Sequence, residues 1–135
     1  MEGGCYCGAL RYRVEEKPLL KAQCHCRECQ YISGGGPNFY MVMPEGSVHY
    51  TKGTPAQFSR ADLDAPVTRE FCATCGTHIL TRRPDMPYAI LKIGTLDAPE
   101  QDYREPKMAI YTADRQNWHI IPDDLPCFEG LPPRR

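Results

Sequence analysis

The segment CHCREC, residues 24–29, places three cysteines and one histidine within six positions. Thiolates and imidazoles are ligands that zinc prefers in proteins, and thiols can also pair as disulfides. Three explanations are therefore open for Cys24, Cys26 and Cys29. They could form a disulfide, a closed structural metal site, or a metal site whose fourth position stays free for chemistry.

Two further cysteine clusters have the forms C-x-C and C-x-x-C, and an eighth cysteine stands alone. In chain order these residues are Cys5, Cys7, Cys72, Cys75 and the lone Cys127. A bridge within C-x-C would close a small, strained ring, and a reducing compartment disfavours bridges between clusters. A C-x-x-C turn aims two thiolates at one zinc ion, with Gly76 free to take the positive φ of a tight knuckle. We therefore expect the two pairs to share one ion and to close a loop of about 65 residues.

The CHCREC cluster offers three thiols and no obvious fourth ligand. Catalytic zinc sites typically have three protein ligands and a free fourth position, which favours an open site. A closed site remains the alternative, with Cys127 or His25 as the fourth ligand. Because His25 lies between two presumed ligands, we expect its side chain to point away from the metal into solvent. Its alternative role is that of a general base toward an incoming thiol.

Short strands are predicted around these clusters. Period-two patterns and β-rich composition favour strands at residues 9–14, 38–43, 68–72, 77–83, 88–96 and 108–112, with weaker ones in SVHYTKG and QFSRAD. The 13 prolines and 11 glycines indicate many turns rather than long helices. Residues 27–37 are predicted to hold one helical turn, which the run GGGP ends. We predict a mainly β fold, a single small domain of twisted antiparallel sheets with zinc knuckles in its loops.

Length and charge exclude several classes of protein. A chain of 135 residues with 41% apolar residues suits one domain with one core. The net charge is −1, and no basic run is longer than Arg82-Arg83 or Arg134-Arg135, so no nucleic-acid or membrane partner is expected. The start MEGGCYCG does not have the form of a signal peptide, and no apolar run approaches the roughly 20 residues of a membrane helix. We therefore expect a cytoplasmic protein with reduced thiols.

Four segments resemble the glutathione-dependent formaldehyde-activating enzyme family in order and spacing: GGCYCGALRY, CHCRECQYISG, EFCATCGTHIL and LKIGTLDAP. The resemblance runs from about Gly4 to Phe128 and implies one domain over residues 1–135, with a core at about 4–128. It also implies the zinc-bearing, mainly β fold shared with methionine-R-sulfoxide reductases. Two zinc ions per chain follow from the same resemblance. Cys5, Cys7, Cys72 and Cys75 would hold a structural ion, and Cys24, Cys26 and Cys29 would hold a second.

The function implied by this resemblance is that of a zinc-dependent carbon–sulfur lyase-type enzyme, in which the three-cysteine zinc helps to join formaldehyde to glutathione as S-hydroxymethylglutathione. Glutathione, or another small thiol, would be the partner. A zinc-stabilised binding module without catalysis is the alternative. A thiol-redox enzyme is a third hypothesis and would need Cys127 as its reactive residue. Glutathione carries two carboxylates, for which the sequence offers as candidate partners Arg27, Lys52, Arg60 and Arg82.

Three other groups of residues are expected to be structural. His78 is predicted to be an ordinary strand residue, and His49 and His119 have no metal-like spacing. Trp118, Tyr111 and Phe39 could line a pocket, but aromatic residues of a small β domain usually belong to the core.

Overall fold

Ten strands and two short helices make up the part of the chain that the computed structural model describes, residues 1–133. Arg134-Arg135, the terminal basic pair, lies outside these residues. The strands are β1 Glu2–Gly4, β2 Arg11–Val14, β3 Leu20–Cys24, β4 Asn38–Pro44, β5 Val48–Lys52, β6 Ala56–Phe58, β7 Thr68–Phe71, β8 His78–Arg82, β9 Tyr88–Lys92 and β10 Met108–Ile110. The helices are α1 Arg27–Ser33 and α2 Pro99–Asp102. The predicted mainly β class is confirmed.

The strands form two sheets. A three-stranded sheet has the order β1-β2-β5, and a seven-stranded sheet has the order β10-β3-β4-β9-β8-β7-β6. Pairings within both sheets are antiparallel except that β10 lies parallel to β3, with Ile110 beside Cys24. The larger sheet is therefore mixed rather than antiparallel as predicted. A parallel pair needs a crossover connection, and here the intervening chain supplies the other five strands of the larger sheet and β5 of the smaller one.

The larger sheet is buried on one face and carries the candidate chemistry on the other. Met41 and Met43 in β4 pair with Leu91 and Ala89 in β9, and these four side chains are at most 1% exposed. Together with apolar side chains of the smaller sheet, they form the main core. The alternate residues of the same strands include Tyr40, which lies opposite Lys92 on the other face. Because side chains alternate across a strand, β4 and β9 separate the core from the functional face.

The remaining differences from the predicted elements are local. The strand predicted over 88–96 ends at Lys92 and continues as a 3-10 turn over Ile93–Thr95. Helix α1 has two turns rather than one, and it ends as predicted at Gly34, whose φ is +81°. The sequence did not indicate β1, β3 or α2, because they have three to five residues and little periodicity. Among the described residues, no helix combines the length and apolar character needed to cross a membrane.

Candidate metal centres

The four-cysteine cluster joins the N-terminus to the middle of the chain. Cys5 and Cys7 follow β1, and Cys72 and Cys75 lie in the turn between β7 and β8. Their four sulfur atoms lie within 4.8 Å of one another. Gly8 and Gly76 follow the two pairs with φ of +82° and +79°, as predicted for Gly76. Each glycine lets the chain turn back so that its two thiols converge.

Backbone amides and one hydroxyl support these sulfurs. The amides of Leu10 and Cys75 donate to Cys5 Sγ and Cys72 Sγ over 3.1 Å and 3.5 Å. Thr77 Oγ1 accepts from the amide of Tyr6 and lies 3.1 Å from Cys75 Sγ, so it links the two knuckles. This hydroxyl contact lowers the pKa of Cys75 to about 5. Donors of this kind stabilise the thiolate form that binds a metal.

The sulfur spacing fits a tetrahedral zinc ion. Cys5 Sγ lies 3.6 Å from Cys7 Sγ, which in turn lies 3.8 Å from Cys72 Sγ. Zinc–sulfur bonds of about 2.3 Å in a tetrahedron put neighbouring sulfurs about 3.8 Å apart. All eight cysteines fall within residues 1–133 and are free thiols, so the disulfide explanation has no support.

The three-cysteine cluster is assembled at the junction of β3 and α1. Cys24 is the last residue of β3, Cys26 is the N-cap of α1, and Cys29 lies in its first turn. The three sulfurs lie within 4.8 Å of one another. The amide of Cys29 donates to Cys26 Sγ over 3.4 Å. Sulfur contacts with Cys24 and Cys29 lower the pKa of Cys26, so this thiolate forms first. The cluster is a three-thiol group that could hold a metal ion, and it does not include Cys127.

His25 is buried, which corrects the prediction that it faces solvent. Its side chain points away from the cysteines, as predicted, but into the protein, where it is 0% exposed. His25 Nδ1 lies 2.9 Å from His119 Nδ1, and His25 Nε2 lies 2.9 Å from Gln23 Nε2. His119 Nε2 donates to the carbonyl of Gly35, so His119 Nδ1 accepts and His25 Nδ1 donates. Burial lowers the pKa of His25 to about 4, so it is a neutral anchor of the CHC turn rather than a solvent-exposed base.

A cavity of about 650 Å³ opens beside the three thiols. Its size suits a small-molecule ligand. Neighbouring strands supply its floor, with Tyr40 from β4, Thr81 from β8 and Lys92 from β9. Two arginines also line it, Arg69 in β7 and Arg83 just after β8. The cavity therefore combines a thiol cluster with three cationic side chains.

The four cationic candidates named from the sequence do not line this cavity. Lys52 Nζ donates to the carbonyl of Gly8 beside the four-cysteine cluster. Arg82 pairs with Glu70 over 2.7 Å. The other two, Arg27 and Arg60, contact Gln30 and Asp62. Each cation is engaged by a nearby group, and the sequence alone does not show which strands converge on the cavity.

Lys92 is the residue that sequence reasoning missed. It is 9% exposed and lines the cavity with the three cysteines. None of the ion pairs among residues 1–133 involves Lys92. Burial lowers its pKa to about 8, while the neighbouring Cys29 thiolate opposes that shift. The available signal was that Lys92 lies on the same face of the strand YAILK as Ile90, in a strand predicted to be buried, since a buried ammonium group needs a counter-charge.

The remaining residues singled out from the sequence are a histidine, the lone cysteine and two aromatic residues. His78 is a strand residue as predicted, with Nε2 within 3.2 Å of Thr81 Oγ1. Cys127 is exposed and contacts the carbonyl of Leu125, apart from the three-cysteine cluster. Trp118 and Phe39 are 65% and 39% exposed, so the expectation that they belong to the core is wrong.

Comparisons with known proteins agree with this architecture. The family model of the glutathione-dependent formaldehyde-activating enzyme matches residues 1–114. A Halomonas elongata protein named "Putative glutathione-dependent formaldehyde-activating enzyme" is 27% identical over 143 residues, covering 98% of this chain and 88% of that protein. A crystal structure of a Rhodobacter sphaeroides protein shares the fold with a TM-score of 0.58 at 21% identity, covering 72% of this chain and 88% of the other. The chain belongs to the glutathione-dependent formaldehyde-activating enzyme family.

Proposed function

We propose that this protein is a zinc-dependent carbon–sulfur lyase-type enzyme that acts on a glutathione–aldehyde adduct such as S-hydroxymethylglutathione. The observation that carries the proposal is the cavity of about 650 Å³ in which three converging thiols face three cationic side chains. We further propose a cytoplasmic enzyme in which residues 1–135 form one domain with its core at about 4–128. It would carry two zinc ions.

The two ions would have different tasks. Cys5, Cys7, Cys72 and Cys75 supply four sulfurs at tetrahedral spacing and would hold a structural ion. Cys24, Cys26 and Cys29 supply three and would hold the second. When bound, a zinc ion with a free fourth position lowers the pKa of an incoming thiol, so that thiolate is available near neutral pH.

The reaction is an addition across a carbonyl group. The glutathione sulfur forms a bond to the aldehyde carbon, the carbonyl π electrons move to oxygen, and the thiol proton ends on that oxygen. Tyr40 and Lys92 lie opposite each other on the cavity face, where the oxygen would become negative. Burial raises the pKa of Tyr40, so its hydroxyl stays protonated and can donate. An O–H donor beside an ammonium group can stabilise that developing charge.

Lys92 would also reduce the electrostatic repulsion between the three-cysteine metal site and an incoming thiolate. Three thiolates around a divalent ion carry a net negative charge, which opposes the approach of a fourth thiolate. A buried ammonium group at this position neutralises that charge at short range, where low polarity strengthens the interaction. The arginines would serve the carboxylates of glutathione. Arg69 and Arg83 line the cavity wall in ion pairs with Glu28 over 3.3 Å and Asp85 over 3.4 Å, and each would exchange that partner for a glutathione carboxylate.

Native mass spectrometry with and without glutathione tests this function. We expect two zinc ions per chain and a glutathione adduct on the unaltered protein. Cys26→Ser should retain one ion and lose the adduct, whereas Cys127→Ser, the matched control outside the cluster, should retain both. Formaldehyde exchange measured by NMR should then be faster with protein present. Two zinc ions without an adduct would indicate the non-catalytic binding module, and an adduct lost only in Cys127→Ser would indicate a thiol-redox enzyme.

A further inference from the structure

A second, largely apolar groove of about 460 Å³ adjoins the cysteine cavity. Helix α1, strand β6 and the segment between β6 and β7 form its walls. Seven of its lining residues are apolar or aromatic, and the main ones are Tyr31, Ile32, Phe58, Leu63, Pro66 and Val67. This composition is that of a binding site for an apolar group.

The groove and the cysteine cavity share a wall. Four residues line both spaces: Glu28, Ala65, Val67 and Arg69. Arg69 Nη2 lies 3.3 Å from Glu28 Oε2, so an ion pair between β7 and α1 spans their common wall. Helix α1 also carries Cys29 one residue after Glu28. A molecule bound by its sulfur at the three thiols could therefore extend a substituent along this wall into the groove.

The exposed apolar surface of the groove needs an explanation. Tyr31, Phe58 and Leu63 are 80%, 55% and 44% exposed. Single exposed apolar residues are ordinary, but several that converge on one concave surface commonly mark a binding site. Formaldehyde has only hydrogen atoms on its carbonyl carbon and would leave this surface uncovered.

We propose that the groove binds the apolar substituent of an aldehyde larger than formaldehyde. This inference rests on the proposed function, because the groove becomes a substrate site only if the adduct's sulfur lies at the three-cysteine cluster. The reaction is the same addition. Glutathione sulfur bonds to the carbonyl carbon of R–CHO, the thiol proton ends on oxygen, and the product is R–CH(OH)–S–glutathione. The groove thus selects for R as an alkyl or aryl group.

Stable thioethers test the groove without turnover. We would measure calorimetric affinities of the zinc-loaded protein for S-methylglutathione and S-hexylglutathione. Full burial of one methylene raises affinity about fourfold, and burial in a half-open groove should raise it about twofold per methylene. The hexyl conjugate should therefore bind roughly thirtyfold more tightly than the methyl conjugate.

Matched variants locate the effect. Leu63→Ser should weaken S-hexylglutathione about fivefold and leave S-methylglutathione unchanged, because only the hexyl chain reaches the groove. Leu19→Ser makes the same change at another exposed leucine, 57% exposed, and should alter neither affinity. Equal affinities for the two conjugates would overturn the proposal that the groove binds the substituent and would leave the proposed function unaffected. A hexyl advantage that stays at about thirtyfold in Leu63→Ser would also overturn it. If neither conjugate binds and no glutathione adduct forms, both the groove proposal and the proposed function are overturned.

Discussion

The two cysteine clusters use the same side chain but join very different lengths of chain. Cys7 and Cys72 are 65 residues apart, so a metal bound there closes a long loop. Cys24, Cys26 and Cys29 all fall within six residues, so a metal bound there closes almost none. The entropy removed from the unfolded chain grows with loop length, and the four-cysteine site therefore has the larger effect on folding.

The surroundings of the two cysteine clusters also differ. Cys5 and Cys72 belong to the main core between the sheets, while Cys24 belongs to the second apolar cluster on the other face of the large sheet. Within the part of the chain that the structure describes, Lys92, Arg69 and Arg83 converge on the cavity beside the second cluster. The proposed structural site and the proposed catalytic site would thus lie on opposite faces of one sheet.

Cysteine substitutions give the largest expected contrast. Cys72→Ser should lower the free energy of unfolding by about 4 kcal/mol, the value that a disulfide closing a loop of this length would give. Cys26→Ser should lower it by less than about 1 kcal/mol and release only one metal ion. Urea unfolding and metal analysis by mass spectrometry check both. Equal destabilisation by the two changes would contradict the division of roles.

Acid should weaken both regions through buried neutral histidines. Burial lowers the pKa of His25 to about 4 and that of His78 to about 3, from an ordinary value of 6.5. Below pH 6.5 the unfolded chain binds protons that the folded chain excludes. The stability contributed by the neutral histidines is therefore complete above pH 6.5 and is lost as the pH falls toward the folded values.

Each histidine should contribute a loss of about 1.4 kcal/mol per pH unit over that range. Urea unfolding between pH 7 and pH 5 would measure the slope. His78→Gln should reduce the slope by that amount, with His49→Gln, at an exposed position, as the control for the substitution itself. An unchanged slope in His78→Gln would contradict the burial argument.

Replacing Lys92 by methionine should separate binding from stability. Lys92→Met removes the ammonium group but keeps an apolar chain, so affinity for glutathione should fall about tenfold. In the Cys26→Ser background, which should keep the four-cysteine ion and lose the second, Lys92→Met should raise the free energy of unfolding by roughly 1 kcal/mol, because burying an unpaired ammonium group is unfavourable. Lys52→Met, beside the other cluster, should leave glutathione affinity unchanged. A lower stability of the Cys26→Ser/Lys92→Met double variant than of Cys26→Ser alone would contradict this account.

The smallest expected effect concerns the link between the two knuckles. Thr77→Val removes the hydroxyl that accepts from the Tyr6 amide and contacts Cys75 Sγ. One such hydrogen bond is worth about 1 kcal/mol, so thermal unfolding should shift by a few degrees. Glutathione binding at the other cluster should not change. A loss of glutathione affinity would show that the clusters are coupled.

The sequence predicts what depends on neighbours along the chain. The Cys–Gly knuckles, the strands at 38–43 and 68–72, and the helix end at Gly34 all follow from local spacing and from the φ that glycine permits. The four-cysteine set follows from counting ligands, because one zinc ion requires two pairs.

The sequence does not predict what distant segments bring together. His25 is buried because His119, 94 residues away, packs against it. Arg69, Arg83 and Lys92 line one cavity because β7, β8 and β9 are adjacent in the sheet. No local pattern encodes these contacts, and therefore the sequence did not indicate that Arg69, Arg83 and Lys92 line the cavity.

The parallel pairing of β3 with β10 has a consequence for synthesis on the ribosome. Residues 5–75, which include all four structural thiols, emerge well before β10, so that metal site can assemble on the nascent chain. The edge beside Cys24 stays uncovered until residues 108–110 have also emerged. Domains form from the N-terminal side as they are made, at about 5–20 residues per second. The growing chain can therefore bring the four-cysteine cluster together seconds before the three-cysteine cluster has a complete wall.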